Sequence, residues 1–385
     1  MKALDGIRVL DLTRLIPGPM GSLILADLGA QVDKVEDPNG GDYYRHMPPH
    51  VGEQNVGFLA LNRGKRSMIL DLKHAEGRAV FERILPRYDV LFEQFRPGVL
   101  DRLGLSHATL RAKHPRLVIC ALTGYGQSGP LAQRAGHDLN YLARSGLLGF
   151  TGPRDRAPQP PGYQLADIAG GMWSAIGILA ALRARDATGE GALIDIAMSE
   201  GTLPFAIAQL SAIFAGGRAE RGGEPLTGGI APYGTYTTKD GRAMSLGALE
   251  PKFWRAFCEA VGIDFDMSAM LPGAHQAEWR ARLEGIFAGK TRDEWAAIGQ
   301  ERDCCLEPVL ESHELLDDPH LRARGAFVVQ ETPFGKSVQV RLPITDRDRE
   351  PLPPPAMGEH TDAILREAGI SVEEIAALRA SGAVR

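Results

Sequence analysis

Between residues 7 and 126 the chain alternates short apolar runs with helix-forming stretches, and this alternation constrains the fold more than any other feature. The strand candidates are the short apolar "IRVLDL" (7–12), then "QVDKVE" (31–36), "SMILDL" (67–72), "DVLFEQF" (89–95) and "RLVICALTGYG" (116–126). Between them lie the Gly/Pro-initiated "GPMGSLILADLGA" and the amphipathic "HAEGRAVFERILPRY". Strands alternating with helices build βαβ units. The expected fold class is therefore α/β, with a mostly parallel, Rossmann-like sheet in a large domain and helices on both faces. No G-x-G-x-x-G follows the first strand, so such a sheet need not bind a nicotinamide dinucleotide.

Further along, "QLADIAGGMWSAIGILAALRAR" (164–185) is the clearest helix, with Ile168, Met172, Ile176, Leu179 and Ala180 on one face. "ALIDIAMSE" (192–200) reads as a strand, and "AGGRAERGGEPLTGG" (215–229) as a linker. The texture then changes to a hairpin turning at Lys239-Asp240-Gly241, with helices around 251–262 and 275–302. The expected organisation is a large domain over 1–200, a linker over 201–230 and a small α+β domain over 231–305. A second linker over 306–340 precedes a C-terminal return to the large domain over 341–385. The last helical segment is expected to take Thr361 as its N-cap and to pause at Gly369.

Composition excludes several function classes. The net charge is −5, and no Lys/Arg cluster interleaves with aromatics, so no nucleic-acid partner is expected. No apolar run reaches the roughly 20 residues that span a bilayer, so no membrane association is expected. The start "MKALDGIRVLDLT" reads as a strand rather than a signal peptide. Cys120, Cys258, Cys304 and Cys305 form neither a disulfide framework nor a metal-ligand spacing. A cytoplasmic protein with reduced thiols and no metal is the expectation.

Three acid/base candidates stand out. In "RAGHDLNYLARSG" (134–146), His137 and Asp138 stand where a helix begins. Asp is a favoured helix cap, histidine is the side chain that titrates nearest neutrality, and a helix start presents N–H groups to an anion. Asp167 falls in the first turn of its helix, where a carboxylate is also a routine cap. Gly170 and Gly171 follow it and permit close approach, either of a ligand or of another helix. Glu250 lies between a strand end and Pro251, the place of an ordinary helix-start carboxylate unless a partner engages it. Met172 and Trp173, beyond Asp167, fit an acyl-tail lining or plain core. A basic series, Arg63, Lys65, Arg66, Lys73, Arg96 and Arg102, lies near strand ends, where open α/β sheets bind ligands. Coenzyme A phosphates would suit cations there.

The stretches "LDLTRLIPGPMGSLILADLGAQVDKVE", "LNRGKRSMILDLK", "FRPGVLDRLGL", "TGYGQSGP", "GHDLNY", "LADIAGG", "GALEPKF" and "GEHTDAIL" resemble the family III coenzyme A-transferases, which include the α-methylacyl-CoA racemases. The likeness runs over nearly the whole chain. "GHDLNY", the aspartate thirty residues after His137 and "GALEPKF" resemble the racemase branch in particular. The resemblance implies epimerisation of 2-methylacyl-CoA thioesters, with His137 and Asp167 as bases on opposite faces of the α-carbon. It further implies that Glu250 orients His137, and that N–H groups around His137 and Asp138 stabilise the enolate. Asp138 would cap the helix, position the thioester, or both. Coenzyme A enters as part of the substrate, with no tightly bound cofactor. By position, Leu70, Asp71, Leu72, Lys73, Gln94, Phe95, Arg96, Arg102, Gly136, Leu139, Asn140 and Tyr141 would line it.

The resemblance also implies an interlocked homodimer. One departure is Asp37, where several relatives carry arginine. Either Lys34 or Arg45 replaces that cation, or the adenosine end binds differently. In the transferase branch the aspartate matching Asp167 is instead a nucleophile. Many transferases carry a longer glycine run where this chain has "TGGIAPY" (227–233). A non-catalytic acyl-CoA-binding protein is the third alternative.

Overall fold

The computed structural model describes residues 3–347 and 350–385. Strands β1 (Arg8–Leu12), β2 (Gln31–Glu36), β3 (Arg66–Ile69), β4 (Val90–Glu93), β5 (Val118–Thr123) and β6 (Leu193–Ala197) form one sheet. Its order is β3-β2-β1-β4-β5-β6, and every pair is parallel. Strand order reverses at β1 and β4, and at such a point the loops beyond the carboxyl ends part and leave a crevice. The expected strand over 67–72 ends early, at Ile69. Leu70 instead bridges to Val384, and the Asp71 N–H donates to the Ala383 carbonyl at 2.9 Å.

Helices α1 (Pro17–Asp27), α2 (Ala75–Ile84), α3 (Asp138–Arg144) and α4 (Leu165–Thr188) belong to the same unit as the sheet. On one face, Leu10, Met68, Leu91 and Ile119 pack with Phe81 and Ile84 of α2. Ile364, Leu365, Ile375 and Leu378 of the helices Thr361–Glu367 and Val372–Ala380 complete this core. Phe92, one residue on from Leu91 and so on the opposite face, meets α1 at Gly21.

The buried face of α4 is not the one its apolar periodicity picks out. Met172 and Ile176 are exposed, whereas Ala166, Ala169, Gly170, Gly171, Ser174 and Ala175 are buried. The cause is a close crossing with α1. A Cβ on Gly171 would stand 2.5 Å from the Pro17 carbonyl oxygen, and one on Gly21 would stand 2.9 Å from that of Gly171. Gly170 admits Met198 in the same way. The paired glycines therefore serve helix packing. With 24 residues and a mean hydropathy of 1.6 over its most apolar window, α4 is long and apolar enough to cross a bilayer. That amends the expectation that no such stretch exists; here the helix packs against α1 and the sheet.

The chain divides into two compact units. One comprises Met1–Ser145, Tyr163–Pro204 and Pro319–Arg385; the other comprises Gly146–Gly162 and Phe205–Asp318. The stretch expected as linker over 201–230 holds helix α5 (Ile207–Phe214), and that over 306–340 holds a hairpin of Phe327–Thr332 with Gly335–Val340. In the second unit, β7 (Tyr233–Thr237), β8 (Ala243–Gly247) and β9 (Leu306–Pro308) form an antiparallel sheet. Helices α6 (Pro251–Val261), α7 (Gln276–Phe287) and α8 (Arg292–Glu301) contribute Trp254, Phe257, Phe287 and Trp295 to its core. The single helical stretch expected over 275–302 is broken because Thr291 and Glu294 form a reciprocal capping box that starts α8. Thr361 is the first residue of its helix rather than the N-cap, because its hydroxyl accepts the Ile69 N–H at 3.1 Å.

Candidate active site

Two cavities open beyond the carboxyl ends of the parallel strands. The first, of about 340 Å³, is lined from β1, β2 and β3 by Leu12–Arg14, Lys34–Asp37 and Leu70–Lys73, with Phe95 and Arg102. The second, of about 410 Å³, lies beyond β1, β4 and β5, and both His137 and Asp167 line it. Gln94, Phe95, Arg96, Gly136, Asn140 and Tyr141 line it as well. Of the residues expected to line coenzyme A, only Leu139 lies on neither cavity; it faces outward from the first turn of α3.

The turn after β1 separates the cavities and is held from beneath. Lys34 is fully buried, pairs with Asp42 at 3.0 Å and donates to the Thr13 carbonyl at 2.6 Å. Both Asp42 carboxylate oxygens accept the Leu15 N–H at 3.1 Å. These bonds keep Leu15 at φ 64, a left-handed conformation costly for leucine. Arg14, set by this turn, lines both cavities. The turn after β4 is held likewise: Glu93 accepts the Phe95 N–H at 2.7 Å, and Gln94 accepts the Gly18 N–H at 3.2 Å.

His137 is exposed and is the N-cap residue of α3, its own N–H donating to Asn140 Oδ1 at 3.0 Å. The loop before it is shaped by Tyr141. That ring lies so close to Gly124 and Gly136 that a Cβ on either would stand within 2.7 Å of it. The phenol donates to the Gly136 carbonyl at 2.5 Å. Burial, reinforced by Asp167, pushes it up to about 12 and keeps it a neutral donor.

Asp138 does not cap its own helix. Its Oδ1 accepts the N–H groups of Ala166 and Asp167 at 2.6 and 3.1 Å, so it caps α4 instead. This brings a second carboxylate against Asp167. Burial first, and the Asp138 charge second, push the Asp167 carboxyl up to about 7. Its oxygens accept no hydrogen bond among the described residues, so the capping role open to it in the sequence is not the one it plays.

Glu250 belongs to the second unit. It is the N-cap residue of α6, its carboxylate makes no capping bond, and Cys305 lies within its electrostatic reach. Half of the basic series is committed to structure. Arg63 pairs with Asp27 at 2.7 Å, and Arg66 with Asp33 at 2.7 Å and Glu367 at 2.6 Å. Lys65 is buried on Ser22 and Asn62 at 2.8 and 2.9 Å. Neither cation expected to replace the arginine at Asp37 is free. Lys34 is spent on Asp42, and Arg45 pairs with Glu36 at 2.6 Å. Asp37 itself stands 3.9 Å from Lys73. Sequence reasoning missed Arg14 and Arg134 on the second cavity. The signals were present: Arg14 follows a strand end, and Arg134 stands three residues before His137.

Known proteins are similar to this chain along nearly its whole length. The family model described as CoA-transferase family III matches residues 4–361. The α-methylacyl-CoA racemase of Homo sapiens is 38% identical over 384 residues, covering 97% of this chain and 95% of that protein. The succinyl-CoA:glutarate CoA-transferase of Mus musculus is 31% identical, covering 95% of this chain and 86% of that protein. The crystal structure of a CAIB/BAIF family protein from Brucella suis matches with a TM-score of 0.82 at 32% identity, over 95% of this chain and 99% of that one. The chain belongs to CoA-transferase family III.

Proposed function

We propose that the chain epimerises 2-methylacyl-CoA thioesters. One base takes the α-proton, an enolate forms, and the other base returns a proton to the opposite face. The observation that carries this reading is the placement of His137 and Asp167 on one cavity, with the Asp167 carboxyl pushed up to about 7. A carboxyl poised near neutrality both accepts and gives up a proton readily, as a two-base exchange requires. The start of α3, where His137 and Asn140 line the cavity, is assigned to stabilise the enolate oxygen through its first-turn N–H groups. Glu250 of the partner subunit is assigned to hold the imidazole tautomer, across the dimer interface that the family resemblance implies. The nucleotide end of coenzyme A is assigned to the first cavity, where Lys73 and Arg102 supply positive charge.

Coenzyme A transfer through an acyl anhydride on Asp167 is the second reading. It draws on the transferases among the relatives and on the unengaged Asp167 oxygens. A nucleophile at neutral pH profits from full ionisation, which burial and Asp138 withhold here.

The test is deuterium wash-in at the α-carbon. His137→Ala is expected to slow it by roughly 100-fold or more on the epimer whose proton the histidine takes. Asp167→Asn is expected to block interconversion while leaving wash-in on that epimer. Near-normal interconversion by His137→Ala would remove the histidine from the mechanism.

A further inference from the structure

Five carboxylates are buried among the described residues: Asp11, Asp33, Glu36, Asp42 and Glu93. Four of them face a lysine or an arginine. Asp11 lies 3.7 Å from Lys65, Asp33 2.7 Å from Arg66, Glu36 2.6 Å from Arg45 and Asp42 3.0 Å from Lys34. Glu93 faces a histidine instead, its Oε1 standing 3.1 Å from His107 Nε2. An ionised carboxylate can only accept, so that nitrogen carries the proton and donates. The other oxygen, Oε2, accepts the Phe95 N–H at 2.7 Å. Glu93 therefore ties His107 to the backbone of Phe95.

Glu93 ends β4 and His107 begins the helix His107–Lys113, so their contact staples the two ends of the loop over 94–106. That loop reaches both cavities. Phe95 lines both, Gln94 and Arg96 line the second, and Val99 and Arg102 line the first. Packing does not brace the turn on its other side, where a hollow of about 30 Å³ lies between Phe95, Arg96, Asp101, His107 and Gln127. Without the His107 donor, a buried carboxylate loses the bond that fixes its orientation, and with it the hold on Phe95. Resting on the assignment of coenzyme A to these two cavities, we propose that His107 is a positioning residue for coenzyme A. Through Glu93 it holds the 94–106 loop in the shape that binds the nucleotide and the pantetheine arm. His107 lines neither of the two larger cavities, so coenzyme A binding depends on it and proton transfer does not.

The test compares His107→Gln with His107→Asn. The glutamine amide N–H reaches the place of Nε2, whereas the asparagine amide falls a methylene short of it. The readouts are the Kd of coenzyme A itself by calorimetry, KM and kcat for α-deuterium wash-in, and exchange protection of the Phe95 N–H. His107→Asn is expected to raise Kd and KM together by about tenfold or more, to leave kcat within about twofold, and to lose protection at Phe95. His107→Gln is expected to stay near wild type in every readout. An unchanged Kd in His107→Asn, even with a lowered Tm, would make the pair merely structural and overturn the proposal. So would equal losses in both variants, or a fall in kcat at unchanged KM. Failure of the wild type to bind coenzyme A would remove the assignment of the cavities, and the proposal with it. A wild type that binds coenzyme A but shows no wash-in would sink the epimerase reading alone, because the Kd comparison still decides the role of His107.

Discussion

A carboxyl group that titrates near neutrality gives its enzyme a signature in pH. Asp167 is pushed up to about 7, by burial first and by Asp138 second. Where Asp167 removes the α-proton it must be ionised, so kcat/KM for that epimer is expected to fall as pH drops below about 7. Where it returns the proton it must be protonated, so the opposite direction is expected to fall as pH rises above about 7. Asp138→Asn keeps an oxygen that can cap α4 but removes the charge, and is expected to move both limbs to lower pH without loss of folding. Stability follows the same linkage. The folded pKa lies above the ordinary value of 3.8, so the stabilisation is present below about pH 4 and is lost as pH rises through about 7. Asp167→Asn is therefore expected to gain roughly 1–2 kcal/mol over wild type at pH 8, read by denaturant melts, and nothing near pH 4. Much of this scale was legible in the sequence. His137, Asp167 and Glu250 do stand at helix starts as read, and His137 and Asp167 share one cavity. The role of Asp138 was not legible, because the N–H groups it caps are 28 and 29 residues away. Nor was the pairing of Arg63 with Asp27 or of Arg66 with Glu367, which only the fold brings together.

At the scale of elements, strand positions were legible and helix faces were not. The sheet strands lie inside the expected stretches to within a residue; β1, β4 and β5 are mostly apolar because they are buried on both faces, whereas β2 buries Asp33, Lys34 and Glu36 as well. The strand over 67–72 overshot because its last residues are apolar for another reason: they pack with the C-terminal segment. The face of α4 was misread because periodicity weighs hydrophobicity, whereas the α1–α4 crossing selects for smallness. Gly171→Ala puts a methyl group against the backbone of α1 and is expected to cost about 1–3 kcal/mol, seen as a lowered Tm. A comparable change at Gly285, with open space around it, is expected to leave Tm unchanged or slightly raised.

On the scale of the whole molecule, the parallel sheet decides where chemistry can occur. Reversal of strand order at β1 and β4 opens the crevice, and the turns after those strands line the two cavities between them. The family likeness extends over both units, and the racemase and transferase relatives share it, so the reaction has to be read from the site. The most direct measurement starts from one pure epimer of a 2-methylacyl-CoA in deuterated water, with no acceptor acid present. Uptake of deuterium at the α-carbon is expected, together with loss of optical purity. Retention of the α-proton across a panel of acyl chains, with coenzyme A passing to an added carboxylic acid, would contradict it and make Asp167 a nucleophile.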